Sequence, residues 1–367
     1  MAPDRYDRHD SYDRSGGYTS TRPRMSRQAR RAARRRRQIL RVCVVLCILL
    51  VLLLLAGAVF ALIERAPDSA PVPSVEPPAQ SLPAPEPEPE PEDPVEPTYT
   101  LHTTPATAQV EDSFPSQYVI LADLETGEIL AQREATTKIS PASMTKILTL
   151  LVAVEHIDDL DATFTMTQEM EEYCFANQCT VVGYKVGEQA SLRELLYGCI
   201  MNSGADACLG LAQAAAGSHE AFVALMNEKL EELGLAETSH FTNCVGLYDP
   251  EHYCTVADMA LMLKAALEND LCRDVLSART TSIAPTPEHP EEQYMSNWFI
   301  RRVEDQDTGG VNVFCGKTGY VEQAGYCAAS CGEASDGRLY LCVTGHSTGT
   351  WQSIYDHAAL YRTYIGE

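Results

Sequence analysis

The sequence predicts an α/β (α+β) fold, in which an antiparallel sheet is flanked by helices and a helical lobe is inserted between its strands. Strand patterns occur at about residues 117–133 and return after residue 290, and a long helical region separates the two groups. Early and late strands are therefore expected in one sheet, with the intervening helices as the lobe. A charge-free apolar run ahead of this domain predicts one preceding transmembrane helix.

The first 63 residues have the pattern of a membrane anchor. Residues 1–41 hold 13 arginines and 4 aspartates, and Val42–Ile63 is a run of 22 residues without a charge. That run is long enough to cross a bilayer and longer than the core of a cleavable signal. Because arginines stay on the cytoplasmic side, we expect a cytoplasmic tail at 1–41 and an uncleaved anchor at 42–63. Val59-Phe60-Ala61 leaves a cleaved, secreted form open.

A Pro/Glu-rich segment follows the anchor. Residues 64–110 include the run EPEPEPEDPVEP and have almost nothing to bury. Such a composition predicts an extended, disordered linker. The globular domain is then expected at 111–367, on the outer side of the membrane.

The charge balance argues against a nucleic-acid partner. The chain has 28 basic and 51 acidic side chains, a net charge of −23, and without residues 1–41 the balance is 15 against 47, a net −32. A strongly acidic surface disfavours polyanions such as DNA. No CxxC pair and no HExxH sequence occurs, so neither a metal nor a cofactor is expected.

Cysteines are frequent outside the apolar run. Eleven of the 13 lie there, and an odd number cannot all pair within one chain. Many sit among apolar residues, where a free cysteine behaves as a small hydrophobe. This usage suggests a poorly oxidising habitat. Three pairs are close enough in sequence to bond: Cys174/Cys179, Cys244/Cys254 and Cys327/Cys331.

The first elements of the domain are a hairpin and a buried helix. QYVILA (117–122) and EILAQR (128–133) flank Gly127, as expected of a hairpin. Ser140 is a favoured N-cap, and Pro141 is a favoured first helical residue. The helix that follows is apolar on nearly every face through 147–154, so we expect it to be central and buried.

The middle of the domain consists of capped helices. Capping boxes indicate helix starts at Ser191 and Thr255, and Ser218 begins another helix that Gly234 ends.

The last elements are strands and one more helix. We expect the final helix and the helix after Ser143 to cover the two faces of the sheet. The strands are expected at 311–314, 325–330 and 339–344, and the final helix at 351–365.

A serine and a lysine lie one helical turn apart at the start of the buried helix. In SPASMTKILTL (140–150), Ser143 and Lys146 are at positions i and i+3, so both side chains lie on one helix face. Ser143 also falls in the first turn, where free N–H groups favour developing negative charge. No GxSxG elbow occurs and no histidine lies in a useful motif, which makes lysine the candidate base. By itself, the pattern fits a snorkelling surface lysine equally well.

Two later motifs decide between these interpretations. MNSGADAC (201–208) lies between two predicted helices, and CGKTGY (315–320) is expected at a strand end. S-x-x-K, S-G-x and K-T-G in this order resemble the penicillin-recognising serine acyl-transferases. The segments PASMTKILTLL, FTNCVGLYDPEHYCTVADMA and GKTGYVEQAGYC resemble one branch, the low-molecular-weight D-alanyl-D-alanine carboxypeptidases. The resemblance covers about residues 116–366 and implies a β-lactamase/transpeptidase-like fold.

The resemblance implies a catalytic role for three side chains. Ser143 is the acylated nucleophile, and Lys146 is the general base that activates it. Ser203 relays a proton between Lys146 and the leaving amine.

The third motif supplies substrate contacts in this family. Lys317 and Thr318 are implied to bind the terminal carboxylate of the substrate, and Gly319 keeps the strand edge open for it. The backbone N–H groups of Ser143 and Tyr320 are the implied oxyanion hole.

One position departs from the family pattern. The second motif normally ends in asparagine, whereas residue 205 is alanine. That asparagine contacts the nucleophile's lysine and the substrate's amide in the family, so its loss should cost roughly 1–3 kcal/mol. A weak or inactive peptidoglycan-binding scaffold is therefore one alternative, and a D,D-endopeptidase with identical residues is another. A β-lactamase is disfavoured, because no Glu-x-x-Leu-Asn stretch lies between Asp206 and Lys317.

Taken with the anchor, the resemblance implies a membrane-bound serine D-alanyl-D-alanine carboxypeptidase. Its expected substrates are peptidoglycan stem peptides ending in D-Ala-D-Ala, and β-lactams are expected to inhibit it by acylating Ser143. The expected location is the cell membrane, with the N-terminus in the cytoplasm and the catalytic domain facing the wall.

Overall fold

The computed structural model describes residues 99–366. The expected tail (1–41), the expected anchor (42–63) and the linker up to residue 98 lie outside the described residues. Between residues 99 and 366, no helix combines the length and the apolarity needed to span a membrane.

The described strands fall into three sheets, one of six strands and two of two strands. They are β1 (His102–Gln109), β2 (Tyr118–Asp123), β3 (Glu128–Arg133), β4 (Thr163–Thr165), β5 (Gln189–Ser191), β6 (Thr280–Ile283), β7 (Gln293–Ser296), β8 (Asn312–Val321), β9 (Gly325–Glu333) and β10 (Leu339–Ser347).

Most of the described helices lie between β3 and β8. They are α1 (Lys146–His156), α2 (Gln168–Ala176), α3 (Leu192–Met201), α4 (Ala205–Ala216), α5 (His219–Glu232), α6 (Val256–Glu268), α7 (Asp270–Ser277), α8 (Ile300–Val303) and α9 (Thr350–Tyr364), with a 3₁₀ turn (Ala142–Thr145) directly before α1.

The main sheet confirms that early and late strands share one layer. Its order is β1-β3-β2-β10-β9-β8, and β2 pairs antiparallel with β10. The hairpin expected around Gly127 is β2–β3, with this glycine in the left-handed region at φ 76°. The K-T-G motif, expected at a strand end, lies within β8, which forms one edge of the sheet.

Strand β1 corrects two expectations. It pairs parallel with β3, so the sheet is not wholly antiparallel. It also lies inside the segment assigned to the linker, which means that the boundary at residue 110 is wrong. Thr107 fixes the strand by donating its hydroxyl to the carbonyl of Ile129 at 2.7 Å. The alternating Thr and Ala of this segment therefore serve an edge strand, despite the proline among them.

Helices cover both faces of the sheet, although one of them is not the expected helix. The final helix, α9, packs on β9 and β10 as predicted. The opposite face of β2, β9 and β10 is covered by α6, not by the helix after Ser143. Helix α1 packs instead among the helices of the lobe, with residues 146–153 all buried. Its nearly uniform apolarity fits a helix enclosed by other helices better than one lying on a sheet.

Local capping signals are confirmed at three helices and fail at one. Capping boxes at Ser191 and Thr255 start α3 and α6, and Ser218 caps α5. Ser140 does not cap α1, because the chain enters through the 3₁₀ turn; its buried hydroxyl has no hydrogen-bond partner among the described residues. Ala142 at φ 46° interrupts the helical path between Ser140 and the helix.

Candidate active site

Ser143 stands in a turn that a distant glycine shapes. It is half-buried, between the buried Ala142 and Met144. Gly246 adopts φ 82° against this turn, and a Cβ there would lie 2.0 Å from the carbonyl oxygen of Ala142. Only glycine permits this close approach in a left-handed conformation. The loop around residue 246 therefore sets the backbone path that presents the serine.

Lys146 lies against the serine hydroxyl, as the i, i+3 spacing predicted. Its Nζ is 3.1 Å from Ser143 Oγ and donates to the carbonyl of Val245 at 2.5 Å. The side chain is only 2% exposed, so it is not a snorkelling surface lysine. This distance is short enough for a proton to pass directly between the two side chains.

The second and third motifs meet through Lys317 and Ser203. Lys317 Nζ donates to Ser203 Oγ at 2.9 Å and to the carbonyl of Thr318 at 2.7 Å. Ser203 sits at φ 55°, an unfavourable conformation for a non-glycine residue that is common at functional sites. In the described part of the chain, no hydrogen bond joins Ser203 to Lys146. The expected proton relay between them therefore stays a prediction.

Burial and charge both act on Lys317. The side chain is 3% exposed, and its pKa is lowered to about 7, first by burial and then by the nearby charge of Lys146. Both effects disfavour the protonated amine. The site thus contains a lysine that titrates near neutral pH.

Gly319 brings the edge strand against the nucleophile. A Cβ at this position would lie 2.9 Å from the backbone nitrogen of Ser143 and 2.8 Å from Cys327 Sγ. The absent side chain therefore lets β8 approach the amide that was expected to bind an oxyanion. The next residue, Tyr320, exposes its ring and packs against Tyr326 at 4.5 Å between ring centres. The pairing of the Ser143 and Tyr320 amides as an oxyanion hole stays a prediction.

Ala205 occupies the position where the family pattern has asparagine. It is buried at the start of α4, and its amide donates to the carbonyl of Thr180 at 2.8 Å. The adjacent Asp206 accepts from the amides of Val182 and Gly183, both at 2.9 Å. These bonds hold the 180–183 segment beside Ser203, a role of Asp206 that the sequence analysis missed.

Two asparagines also escaped the sequence analysis. Asn243 Oδ1 accepts from the amides of Val245, Gly246 and Leu247, and so fixes the loop under Lys146. Asn297 donates to the carbonyl of Gly316 at 3.1 Å, beside Lys317. The family-like run FTNCVGLYDP was a signal for the first, whereas no sequence pattern pointed to the second.

All eleven described cysteines are free thiols, so none of the three pairs considered from the sequence is formed. Two other thiols approach each other beside the site, with Cys208 Sγ 3.3 Å from Cys199 Sγ. Among residues 99–366 no cluster of His, Cys, Asp and Glu is arranged to hold a metal ion. The expectation that no metal or cofactor is needed stays a prediction.

A cleft of about 380 Å³ opens where the second and third motifs meet. Its walls include Ser203, Lys317, Thr318, Asn297 and Trp298. Together with the Ser143–Lys146 pair, this arrangement fits the serine acyl-transfer site expected from the sequence, and the role of Lys146 as its base stays a prediction.

Comparisons with known proteins agree with this class. Residues 104–348 match the family model for D-alanyl-D-alanine carboxypeptidases, and the chain belongs to that family. D-alanyl-D-alanine carboxypeptidase DacF of Bacillus subtilis is 30% identical over 229 residues, which are 62% of this chain and 57% of DacF. DacC of Escherichia coli is 33% identical over 237 residues, covering 62% of this chain and 56% of DacC. The chain thus spans somewhat more than half the length of these relatives.

Solved structures show the same fold. The Streptomyces K15 DD-transpeptidase aligns with a TM-score of 0.61 at 24% identity, over 69% of this chain and 98% of that one. A D-alanyl-D-alanine carboxypeptidase from Mycobacterium tuberculosis aligns with a TM-score of 0.59 at 26% identity, over 73% and 95%. The sheet and helical lobe are therefore those of the DD-peptidase and transpeptidase structures.

Proposed function

We propose that this protein is a membrane-anchored serine D,D-carboxypeptidase that removes the terminal D-alanine from peptidoglycan stem pentapeptides. The observation that carries the proposal is the 3.1 Å contact between Ser143 Oγ and Lys146 Nζ, beside the free edge of β8. Family membership and the names of the relatives support the substrate class.

Acylation uses Ser143 and Lys146. The serine oxygen attacks the carbonyl carbon of the penultimate D-alanine while Lys146 takes the hydroxyl proton. The amides of Ser143 and Tyr320 stabilise the charge that develops on the carbonyl oxygen. The C–N bond then breaks, and the proton reaches the amine of the leaving D-alanine through Ser203.

Deacylation restores the enzyme. Lys146 takes a proton from water, the resulting hydroxide attacks the ester carbonyl, and Ser143 recovers its proton as the shortened peptide leaves. Lys317, when protonated, and Thr318 hold the terminal carboxylate of the incoming peptide, which selects for the free C-terminus. A β-lactam presents the same carbonyl and carboxylate and is expected to acylate Ser143.

Release of D-alanine from diacetyl-L-Lys-D-Ala-D-Ala tests the proposal. We expect the wild type to release D-alanine and to be labelled by fluorescent penicillin, and Ser143→Ala to do neither. An intact thermal unfolding transition in Ser143→Ala shows that the loss is chemical. A wild type that releases no D-alanine and takes no label would make the protein a non-catalytic peptidoglycan binder, as Ala205 allows.

The anchor is tested separately. We propose that residues 42–63 hold the domain outside the cytoplasmic membrane, because this charge-free run follows an arginine-rich segment. The full chain should sediment with membranes and be digested by protease added to spheroplasts, whereas a chain starting at residue 64 should not sediment. A full chain that stays in the soluble fraction contradicts the anchor.

A further inference from the structure

A buried carboxylate outside the catalytic motifs fastens two segments of the chain together. The side chain of Glu188 is 1% exposed and ends the segment 177–188 that joins α2 to β5. It accepts from the hydroxyl of Thr286 at 2.7 Å, and both of its oxygens lie 2.9 Å from Nδ1 of His289. An imidazole that carries a proton on Nδ1 donates to these oxygens. The contact of Glu188 with Thr286 and His289 is here called the glutamate clasp.

Both partners of Glu188 lie in the connection between β6 and β7. Thr286 and His289 are the two residues of this connection, 284–292, that are not exposed. At the base of the same hairpin, Ile283 and Met295 are buried in the main core. Among the described residues, the glutamate clasp is therefore the hydrogen-bonded link between the tip of the hairpin and the rest of the domain.

The two segments that the clasp joins both contribute to the walls of the cleft. Thr180 and Val181 line the cleft from the segment that ends at Glu188, and Tyr294 and Ser296 line it from β7. Val181 and Tyr294 are both exposed apolar side chains. A displacement of either segment would therefore change the shape of the cleft and the apolar surface that it offers to a ligand.

The segment 177–188 is held at two points. Near its middle, Asp206 accepts from the amides of Val182 and Gly183, both at 2.9 Å. At its end, the glutamate clasp attaches it to the hairpin. The clasp thus completes a restraint that begins at Asp206, and it fixes the hairpin relative to α4, which carries Asp206.

The chemistry of Glu188 favours a positioning role over a contribution to stability alone. Removing a carboxylate from water is costly, and a buried ion pair often adds little net stability. Burial by itself would raise the pKa of Glu188, but hydrogen bonds from His289, the Lys185 amide and Thr286 outweigh it, so the pKa is lowered. Glu188 therefore stays ionised, with its donors at fixed positions. A fully satisfied buried charge of this kind can specify one arrangement of the segments that it joins.

We propose that Glu188 is a positioning residue for the peptide substrate. Through Thr286 and His289 it fixes the β6–β7 hairpin against the segment 177–188, and so it sets the two walls that hold the bound peptide. This inference rests on the proposed function.

The place of the clasp in the fold decides which kinetic constant it affects. Ser143 and Lys146 lie on the 3₁₀ turn and on α1, and the clasp includes neither element. Its loss should therefore weaken the hold on the peptide and leave the chemical step nearly unchanged. A contact that is made equally in the ground state and the transition state acts on KM and not on kcat.

Release of D-alanine from diacetyl-L-Lys-D-Ala-D-Ala by the full chain in detergent tests the clasp. We expect KM to rise about tenfold in His289→Ala and about threefold or more in Thr286→Val, with kcat within about twofold of the wild type. His289→Asn should restore most of the wild-type KM, because its Nδ2 is as many bonds from Cα as Nδ1 of histidine. Ser282→Ala is the matched control for Thr286→Val, because Ser282 also donates its hydroxyl to a glutamate, Glu292, at 2.6 Å within the hairpin.

Proteolysis reports on the clasp independently of the reaction. Glu291 is exposed at the tip of the hairpin, so a glutamyl endopeptidase can cut after it when the tip detaches. We expect this bond to be cut about threefold or more faster in Thr286→Val and Glu188→Gln than in the wild type, as measured from the masses of the fragments. Thr286→Val leaves Glu188 with His289 and the Lys185 amide, so it still tests the clasp if Glu188→Gln does not fold.

The outcomes separate the two proposals. A wild type that releases no D-alanine and takes no penicillin label overturns the proposed function, and the inference falls with it. With both activities present, a KM within about twofold of the wild type in His289→Ala and Thr286→Val overturns the inference alone, as does equal cutting at the tip in all proteins. A loss confined to kcat, or one that His289→Asn does not reverse, also overturns the positioning role. An intact thermal unfolding transition shows that each variant is folded.

Discussion

The carbonyl oxygen of Val245 lies 2.5 Å from Nζ of Lys146, on a loop 99 residues away in sequence. This contact directs one N–H bond of the amine toward the carbonyl. It therefore orients the rest of the amino group relative to Ser143 Oγ. The carbonyl is in turn held by Asn243, whose Oδ1 accepts three successive backbone amides. The orientation of Lys146, the base of the proposed mechanism, therefore depends on an amide side chain that does not touch it.

Asn243→Ala should slow acylation and also destabilise the fold. Three amides lose their acceptor, which should lower the free energy of unfolding by about 1–3 kcal/mol. Misplacement of the Val245 carbonyl should lower the rate of penicillin acylation about tenfold or more. The measurements are stopped-flow labelling with fluorescent penicillin and urea unfolding.

Asn269→Ala is the control for Asn243→Ala. Asn269 caps α7 by accepting from the amides of Leu271 and Cys272, so its loss should also cost about 1 kcal/mol of stability. Its acylation rate should equal that of the wild type. Equal acylation in both variants would show that the Asn243 loop does not orient Lys146.

Gly246→Ala should be far more damaging than Gly217→Ala. Both glycines have similar left-handed backbones, at φ 82° and φ 77°, so each substitution should cost about 1–2 kcal/mol of conformational strain. A Cβ at Gly217 meets no atom within 4 Å, whereas one at Gly246 lies 2.0 Å from the Ala142 carbonyl oxygen. The clash should add about 1–3 kcal/mol and displace the turn that carries Ser143.

Urea unfolding and penicillin labelling of the two glycine variants check this difference. Gly217→Ala should label at the wild-type rate, and Gly246→Ala should label slowly or not fold. Equal stability and equal labelling would mean that Ala142 moves aside without cost.

Features carried by neighbouring residues could be predicted from the sequence. The Ser143–Lys146 contact follows from i, i+3 spacing, and the caps at Ser191 and Thr255 are completed within four residues. The residues that form these contacts are close in sequence, so their spacing alone brings them within reach.

Features that depend on distant contacts escaped prediction. Ser140 is a favoured N-cap by type, yet packing of Ala142 on Gly246 diverts the chain before the helix. The contacts of Arg302 with Trp298 and Trp351 bring together two parts of the chain about 50 residues apart. Neither arrangement leaves a periodic or spaced signal in the sequence.

Ala205→Asn should accelerate acylation. Asparagine at this position of the family motif contacts the nucleophile's lysine, and one hydrogen bond contributes about 1 kcal/mol, or roughly fivefold in rate. Penicillin acylation and D-alanine release should both rise. Ala205→Leu, which adds bulk without a polar group, is the control and should not accelerate either. An unchanged or slower Ala205→Asn would show that this site works without that amide.

Cys179 should be the first thiol to react with iodoacetamide. Of the eleven cysteines in the described part of the chain, ten are buried and Cys179 is half-buried. Its pKa is lowered, first by a hydrogen bond from Cys174 and also by the charge of Lys146. Exposure and a larger thiolate fraction both speed alkylation.

Peptide mass mapping after brief alkylation checks this prediction. Among peptides from residues 99–366, the native protein should carry one modification, at Cys179, and Cys179→Ala should carry none over the same time. Early modification of Cys174 or Cys199 would contradict the burial of those thiols.

Lys317 should make stability depend on pH above neutrality. Its pKa of about 7 in the folded protein lies below the value near 10.4 of an unfolded lysine. Between these values the unfolded chain binds more protons, so the free energy of unfolding should rise with pH by up to about 1.4 kcal/mol per unit. This stabilisation is complete above the unfolded value and is lost as the pH falls through about 7.

Urea unfolding at pH 7, 8 and 9 compares the wild type with Lys317→Met, which keeps most of the side chain's length but cannot titrate. The wild type should gain stability more steeply with pH than Lys317→Met. Cysteines and tyrosines also titrate in this range, but both proteins contain them, so the difference between the two slopes reports on Lys317. The same titration should weaken the hold on the substrate carboxylate, so KM for the pentapeptide should rise above pH 7 as Lys317 loses its proton. Parallel stability profiles would show that Lys317 stays protonated in the folded protein across this range.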